Sequence, residues 1–206
     1  VLLSAAAFAS VATMRVADPL LPQVAKEFGV TAGEASIIAT AFALAYGFCQ
    51  LAYGVLGDRF GQYRLVTLAT LASALTVGSA AFAGSLAMLG VARLVAGATA
   101  AAIVPLSMAF IGDHVPYERR QTVLARFLTG TILGIVAGQV FGGVLGEVVG
   151  WRAVFLLLGF TGLLSFGHAM FLGMAGYTAA HAAKVWGLTP ELAILAGTAV
   201  SSVLGL

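Results

Sequence analysis

Long apolar segments alternate with short polar breaks along almost the whole chain. Six of them are long enough to cross a hydrocarbon core, which needs about 20 mostly apolar residues. They lie at approximately 2–23, 35–56, 65–84, 88–112, 124–148 and 152–172. A further apolar piece, 191–206, is too short for a full span. Because backbone groups in lipid must be satisfied within the chain, the pattern predicts an all-α membrane protein with a six-transmembrane-helix bundle and an additional C-terminal helical fragment.

Composition and charge agree with a protein whose partner is the lipid bilayer. Hydrophobic residues make up 61% of the chain and charged residues 9%, whereas soluble domains carry roughly 25% charged residues. The net charge of +2 gives no reason to expect a nucleic-acid partner. Basic residues gather in the connections 57–64 and 113–126, while 24–34 and 149–152 hold a single one each. The positive-inside rule therefore predicts a multi-pass topology with a cytoplasmic N-terminus.

Two features of the fourth and fifth predicted spans are expected to shape the bundle. Pro105 should kink the fourth helix, because it has no backbone N–H to donate. Glycines repeat every four residues in the fifth span, and side-chain-free positions at that spacing let a neighbouring helix approach closely. The stripe consists of Gly130, Gly134, Gly138, Gly142 and Gly146, with Gly143 beside them.

A charged, glycine-punctuated break, GVLGDRFGQYR at 54–64, separates the second and third predicted spans. Asp58 falls at the C-terminal end of the second span, where the helix dipole disfavours a carboxylate by about 0.3–1 kcal/mol. A positive partner is therefore expected, either the N-terminus of another helix or a nearby arginine. The candidate arginines are Arg59, Arg64, Arg119 and Arg120. The alternative is a solvated turn in which Gly61 supplies a left-handed backbone position.

This break resembles the loop signature of the major facilitator superfamily, G-x-x-x-D-[RK]-x-G-x-[RK]-[RK]. The matching positions are Gly54, Asp58, Arg59, Gly61 and Arg64, and Tyr63 stands where a second basic residue is usual. Its place between the second and third helices is also that of the family. The resemblance implies a conformational latch between two transporter halves, which holds the outward-facing state and opens on reorientation. Asp113 and Arg119 of the next cytoplasmic connection are expected to complete a charge network with Arg64.

Other segments are similar to the same family. Arg93 and Gly97 resemble its fourth-helix motif. GIVAGQVFGG at 134–143 resembles its fifth-helix antiporter motif, G-x-x-x-G-P-x-x-G-G, with Gln139 in place of the proline. ADPLLPQVAKEFGVT and GWRAVFLLLG look like the first and sixth helices of bacterial efflux members. The resemblance covers about residues 12–165 and implies one half of a major facilitator fold.

Four polar side chains lie inside the predicted spans. At 1.5 Å per residue from the outer helix ends, Arg15 lies about 12 Å deep, Asp18 and Arg93 about 8 Å, and Gln139 about 13 Å. Polar and ionisable groups at such depth are costly and normally face the bundle interior or a water-filled cavity, so these four are the candidates for binding substrate or protons. Arg15 and Asp18 could instead neutralise each other, being three residues apart on one helix. Arg93 could instead donate to backbone carbonyls.

The C-terminal third does not fit a simple count of spans. KEFGVT at 26–31 and KVWGLT at 184–189 match in residue class, as expected of a parallel repeat that opens a second half outside the membrane. Residues 152–183 must then enter and return, although two spans need about 40 residues. One long or broken helix, or a discontinuity, is expected there. The expected domains are 1–165, the N-terminal six-helix half, and 166–206, an incomplete start of the second half. If the match is accidental, a complete sixth span puts Lys184 in the cytoplasm.

The sequence offers no catalytic constellation. It has no metal-ligand cluster of usable spacing, no nucleophile–His–carboxylate set and no phosphate-binding glycine loop, so neither an enzyme nor a metal or cofactor is expected. The interpretation is a secondary transporter of the bacterial inner membrane that exports small organic molecules in exchange for protons by alternating access. Its partners are then the small-molecule substrate, protons and the missing second half of the transporter. The alternative is a degenerate half-transporter with a structural or assembly role and no transport activity.

Overall fold

The computed structural model describes the backbone of residues 2–184, 186, 187, 189, 192 and 196, and the side chains of 2–160, 181, 184, 186, 187, 189, 192 and 196. No β-strand occurs in these residues. The helices are α1 (Leu2–Arg15), α2 (Ala17–Phe28), α3 (Ala32–Ala35), α4 (Ile37–Phe60), α5 (Gln62–Ser79), α6 (Leu86–Ala100), α7 (Ile103–His114) and α8 (Tyr117–Lys184), with a 3-10 helix, Ala80–Phe82, after α5. The chain forms two compact units, Val1–Leu163 and Leu164–Leu206.

Four helical segments within the described residues are long and apolar enough to cross a membrane. They are Ala32–Phe60, Gln62–Phe82, Leu86–His114 and Tyr117–Phe160. The first predicted span, 2–23, corresponds to α1 and most of α2, which are separated only by Val16. The sixth predicted span follows Gly150 inside α8. The fold is therefore all-helical with multiple candidate spans, and the count of six spans stays a prediction.

Two helix breaks have their cause in proline. Val16 separates α1 from α2, although its φ of −64° and ψ of −26° are helical. Pro19, three residues later, lacks the N–H that would bond the carbonyl four positions before it. In the same way Pro105 leaves the carbonyl of Ala101 without its helical donor, and α6 and α7 are divided at 101–102. The second break lies in the span where the sequence predicts a kink.

The connections between helices have defined local structures. Thr31 and Glu34 form a capping box at the start of α3, in which each side chain bonds the backbone N–H of the other residue. Gly61 separates α4 from α5 with a φ of 90°, a conformation that L side chains rarely adopt. The basic connection predicted at 113–126 is shorter than expected, since only 115–116 lie between α7 and α8. Its arginines therefore lie on the first turns of a helix.

Large apolar side chains from several helices meet in the core of the first unit. Leu20 of α2, Phe42 of α4, Leu89 of α6 and Phe155 beyond the Gly150 break are almost completely buried in its principal cluster. These helices are consecutive or nearly consecutive in sequence, as expected of an antiparallel bundle with short connections. The cluster includes the buried face of α6 and so positions Arg93, the buried polar residue of that helix.

The glycine stripe of α8 runs along α1 and α2. A Cβ added at Gly134 would lie 2.6 Å from the Phe8 carbonyl oxygen, and one at Gly138 would lie 2.5 Å from that of Ala12. The other positions face the same two helices: Gly130 faces Ser4, Gly142 faces Val16 and Pro19, Gly146 faces Leu20 and Gln23, and Gly143 is in ordinary contact with Pro19. Backbone thus packs on backbone, which only side-chain-free positions permit.

The helix beyond Gly150 continues without interruption through 151–184. Gly150 itself has a φ of 80° and a ψ of 159°, so a non-helical turn stands where the sequence predicts an outer connection. A single long helix is one of the outcomes expected if two spans have been joined across a gap. The side of Lys184 relative to Lys26 stays a prediction, and the predicted partial span 191–206 lies largely outside the described residues.

Candidate functional site

Arg93 of α6 is completely buried in the centre of the first unit. Its guanidinium donates hydrogen bonds to three backbone carbonyls. Nε bonds Ile38 at 3.3 Å, Nη1 bonds Thr13 at 3.2 Å and Nη2 bonds Met14 at 3.5 Å. A buried cation is costly unless its donors are satisfied, and here each of the three guanidinium nitrogens has a carbonyl acceptor. Arg93 therefore ties α6 to α1 and α4, as the carbonyl-donor interpretation of the sequence allowed.

Two aromatic rings complete the surroundings of Arg93. Its Cζ lies 4.3 Å from the ring centroid of Phe42 and 5.5 Å from that of Phe155. A desolvated cation over aromatic faces gains electrostatic stabilisation from the ring quadrupoles. Asp18 contributes a further Coulombic attraction to Arg93 without a direct ion pair. A Cβ at Gly97, one turn further along α6, would overlap the Phe42 carbonyl, so α6 and α4 are in backbone contact at this level.

Arg15 and Asp18 form an ion pair at the junction of α1 and α2. Arg15 Nη1 lies 3.6 Å from Asp18 Oδ2, and the two side chains are 44% and 40% exposed. They line an open groove of about 400 Å³ together with side chains of α4. The remaining lining residues are Met14, Ala39, Thr40, Ala43 and Leu44. The pair is thus accessible from this groove, whereas Arg93 is not.

Gln139 does not lie with these charges. The stripe glycine next to it, Gly138, faces α1, and a step of one residue turns a helix by about 100°, away from that contact. The Gln139 side chain is exposed, and no hydrogen bond of its amide is found within the described residues. Its assignment to a substrate site stays a prediction, and it does not line the groove that holds Arg15 and Asp18.

Five of the seven residues of the predicted latch line a second groove, of about 760 Å³, between α4, α5 and α7: Asp58, Arg59, Gly61, Arg64 and Asp113. Asp58, Arg59 and Arg64 are all exposed there, and none of them forms an ion pair within the described residues. Arg59 lies over the ring of its neighbour Phe60, with its Cζ 5.6 Å from the centroid. Gly54 faces open space. The charges of this loop are therefore available to groups that the first unit does not supply.

Asp113 takes a different partner from the one that the sequence predicted. It accepts a hydrogen bond of 2.8 Å from Gln62 Nε2 at the start of α5. Arg64 and Arg119 are exposed, and neither is paired with Asp113 in the described chain, so the predicted network of the three residues is not formed in this structure. Gln62, the first residue of α5, supplies the hydrogen bond to Asp113 instead.

A polar cluster at the other end of the bundle was not anticipated from the sequence. Glu27, near the end of α2, accepts hydrogen bonds from the guanidinium of Arg152 and from Trp151 Nε1. Arg152 also donates to the Ala83 carbonyl at 2.9 Å, and its Cζ lies 4.3 Å from the Trp151 ring centroid. The Arg152 hydrogen bond, followed by that of Trp151, lowers the pKa of Glu27 below its usual value. The only signal in the sequence was that Glu27 and Arg152 carry opposite charges and lie in the connections 24–34 and 149–152, which are predicted on the same side of the membrane.

The described residues contain no group of three or more His, Cys, Asp or Glu side chains placed to hold a metal ion. The polar features found in the first unit are charge pairs and hydrogen-bonded groups. They comprise an accessible ion pair beside α4, a buried arginine behind it, an exposed charged loop and an outer ionic cluster.

The known proteins that this chain resembles include transporters and export proteins of bacteria. The chain is 33% identical over 158 residues to the uncharacterized transporter YgaY of Escherichia coli, a match that covers 75% of this chain and 39% of that protein. It is 30% identical over 156 residues to the multi-drug resistance efflux pump PmrA of Streptococcus pneumoniae, covering 74% and 39%. It is 26% identical over 155 residues to the multidrug export protein EmrB of Haemophilus influenzae, covering 75% and 30%. The matched part is thus well under half the length of these relatives.

A solved structure shares the fold. The bacterial homolog to the human lysosomal transporter Spinster, in an inward-facing and occupied conformation, superposes with a TM-score of 0.70 at 19% identity. The match covers 98% of this chain and 57% of that one. The family model of the Major Facilitator Superfamily matches residues 3–204. This multi-pass membrane chain therefore belongs to the Major Facilitator Superfamily.

Proposed function

We propose that the chain is the N-terminal half of a proton-coupled exporter of small organic molecules, with Asp18 as its proton-carrying group. The supporting observation is the accessible Arg15–Asp18 pair in the groove beside α4. Asp18 is the acidic side chain that lies deep within a predicted span, and it is about two-fifths exposed to that groove. Intramembrane carboxylates that reach a water-filled cavity are the usual proton relays of transporters.

The pair couples proton binding to substrate binding as follows. When Asp18 is ionised, it neutralises Arg15 across 3.6 Å. When Asp18 takes up a proton, that attraction is lost, and the guanidinium of Arg15 becomes free to interact with a substrate or to move. Arg93 does not take part in this exchange directly, because its donors are committed to the carbonyls of Thr13 and Met14 just before the pair. Arg93 instead anchors the end of α1 that carries Arg15.

The groove suggests the class of substrate. Besides the ion pair it presents Thr40 and a majority of apolar side chains, among them Met14 and Leu44. Sites of this kind suit organic molecules that combine an apolar body with a few polar groups. PmrA and EmrB are named as a multi-drug efflux pump and a multidrug export protein, which supports the same direction of transport for this chain.

The exposed charges at 54–64 are proposed to act as the latch toward the second half. Asp58 lies in the last turn of α4, where the helix dipole is unfavourable for a carboxylate. It is exposed and unpaired within the described residues, so a partner from another part of the transporter can compensate it. By the positive-inside rule, the basic residues of this end support a cytoplasmic location in a bacterial inner-membrane protein, with the N-terminus on the same side.

The test replaces Asp18 by Asn in the full-length protein, in purified form and in proteoliposomes. We expect substrate-induced proton release to be abolished while folding and abundance stay near normal, because Asn keeps the size of the side chain. Glu147→Gln is the matched control, since Glu147 is an exposed acid of α8 that forms no ion pair within the described residues. If Asp18→Asn releases protons on substrate addition as the wild type does, Asp18 is not the coupling group.

A further inference from the structure

A small cavity lies inside the first unit where α1, α5, α7 and the helix after Gly150 meet. Its volume is about 10 Å³. Aliphatic side chains form much of its wall, but four hydroxyl-bearing residues also line it, two from α1 and two from α5. They are Ser10, Thr13, Thr70 and Ser73. All four residues are at most 8% exposed, and the Ser10 hydroxyl oxygen itself is buried.

The hydroxyls of this cavity differ in how they are satisfied. Thr13 Oγ1 donates to the Ala9 carbonyl and Thr70 Oγ1 donates to the Val66 carbonyl, both at 2.8 Å. Ser10 is only 3% exposed, yet its Oγ has no hydrogen-bond partner within the described chain. A buried hydroxyl without a partner is costly, so a group that fills the cavity and bonds Ser10 is favoured.

We propose that this cavity binds one water molecule that bridges Ser10 of α1 to the hydroxyls of α5. A water needs at least about 10–15 Å³ of such space, and the cavity, at about 10 Å³, has room for one water and no larger ligand. It also needs two to four polar partners, and the Ser10 hydroxyl, together with the acceptor lone pairs of Thr70 and Ser73, supplies them. The water completes the packing of α1 on α5 at a level where side chains leave a gap.

A cation does not fit the same cavity. No carboxylate lines it, although hard cations are held by several oxygen ligands that usually include Asp or Glu. The guanidinium of Arg93 also donates to the carbonyl of Thr13, a lining residue, and so brings a positive charge close to the site. A neutral ligand that can both donate and accept hydrogen bonds therefore satisfies the chemistry, and water has the required size.

The direct test is a structure of the full-length protein at a resolution that shows ordered water. We expect one density peak within hydrogen-bond distance of Ser10 Oγ and of a hydroxyl of α5. An empty cavity, with the Ser10 hydroxyl turned to donate to the carbonyl four residues before it, would overturn the proposal. A peak with the ligand distances of a metal ion would also overturn it.

Thermal unfolding gives an independent test through the sign of a shift. If the Ser10 hydroxyl is dry and unsatisfied, Ser10→Ala removes a penalty and raises the melting temperature. If a water bridges it, the substitution deprives that water of a partner, and we expect a fall of about 2 °C. Ser107→Ala is the matched control: Ser107 is also buried, but its hydroxyl bonds the Ile103 carbonyl of its own helix, and the loss of such a back-bond is expected to change the melting temperature little. A rise or no change for Ser10→Ala contradicts the bridging water.

Discussion

Gly138→Ala tests whether the glycine stripe determines how closely α8 packs on α1. The added Cβ would lie 2.5 Å from the Ala12 carbonyl oxygen and 2.9 Å from the Ala12 Cα. Favourable contacts between heavy atoms begin near 3.5 Å, so the two backbones must separate by about 1 Å. The obstructing atoms belong to the backbone of a helix, and therefore no side-chain rotation can relieve the overlap.

Two effects of opposite sign set the magnitude. Overpacking in a close-packed interior costs about 1–3 kcal/mol. Replacing a glycine by alanine inside a helix returns about 1 kcal/mol of helix propensity. The net destabilisation expected for Gly138→Ala is therefore about 0–2 kcal/mol, centred near 1 kcal/mol. At about 2–4 °C per kcal/mol, the melting temperature should fall by roughly 3 °C.

Gly143→Ala separates the two effects, since it lies on the same helix and its added Cβ meets only Pro19 Cβ at 3.8 Å. This control should keep or raise the melting temperature, because the propensity gain is not opposed by an overlap. The assay is thermal unfolding of the full-length protein in detergent, followed by intrinsic tryptophan fluorescence. A melting temperature of Gly138→Ala equal to or above that of Gly143→Ala would refute close packing of α8 on α1.

Two further predictions concern the ends of the bundle. Asp58→Asn should abolish substrate transport by the full-length protein and leave its insertion and abundance near normal, because the latch loses the charge that a partner compensates. Normal efflux from vesicles containing well-expressed Asp58→Asn would contradict it. Arg152 holds the pKa of Glu27 below its usual value, so the stability from this pair is present at neutral pH and is lost as the pH falls through the lowered pKa. The melting temperatures of the wild type and Glu27→Gln should therefore differ at pH 7 and converge below pH 4.5, the ordinary pKa of glutamate. If the difference between the two melting temperatures stays constant with pH, the charge of Glu27 does not contribute to stability through this pair.

Features that depend on local sequence could be predicted. The helical character follows from the long apolar segments, and the break before Pro105 follows from its missing N–H. The turn at Gly61 could be placed, since it takes a positive φ between two apolar segments. The close packing at Gly134 and Gly138 also follows from spacing alone, because residues four apart share one helix face.

Features that depend on distant residues could not be predicted in the same way. The acceptors of Arg93 are backbone carbonyls of α1 and α4, and every residue carries a carbonyl, so no sequence pattern distinguishes those of Thr13 and Ile38. The Glu27–Arg152 pair joins residues 125 positions apart. Gln139 was assigned to the interior from its depth, but depth along a helix does not fix the direction of the side chain.

The position of Arg93 adds a structural argument to the proposal that the Arg15–Asp18 pair responds to proton binding. The guanidinium fixes the carbonyls of Thr13 and Met14, so the chain immediately before Arg15 is held to α6. Because Pro19 has no N–H, the Arg15 carbonyl lacks its helical hydrogen bond. The helix is interrupted at Val16, and Asp18 belongs to the next helix, α2. The two partners of the ion pair thus lie on opposite sides of a helix break, one anchored and one attached across a weakened turn. In the proposed mechanism, a change in the charge of Asp18 acts on that break and so links proton binding to the orientation of α2 relative to α1.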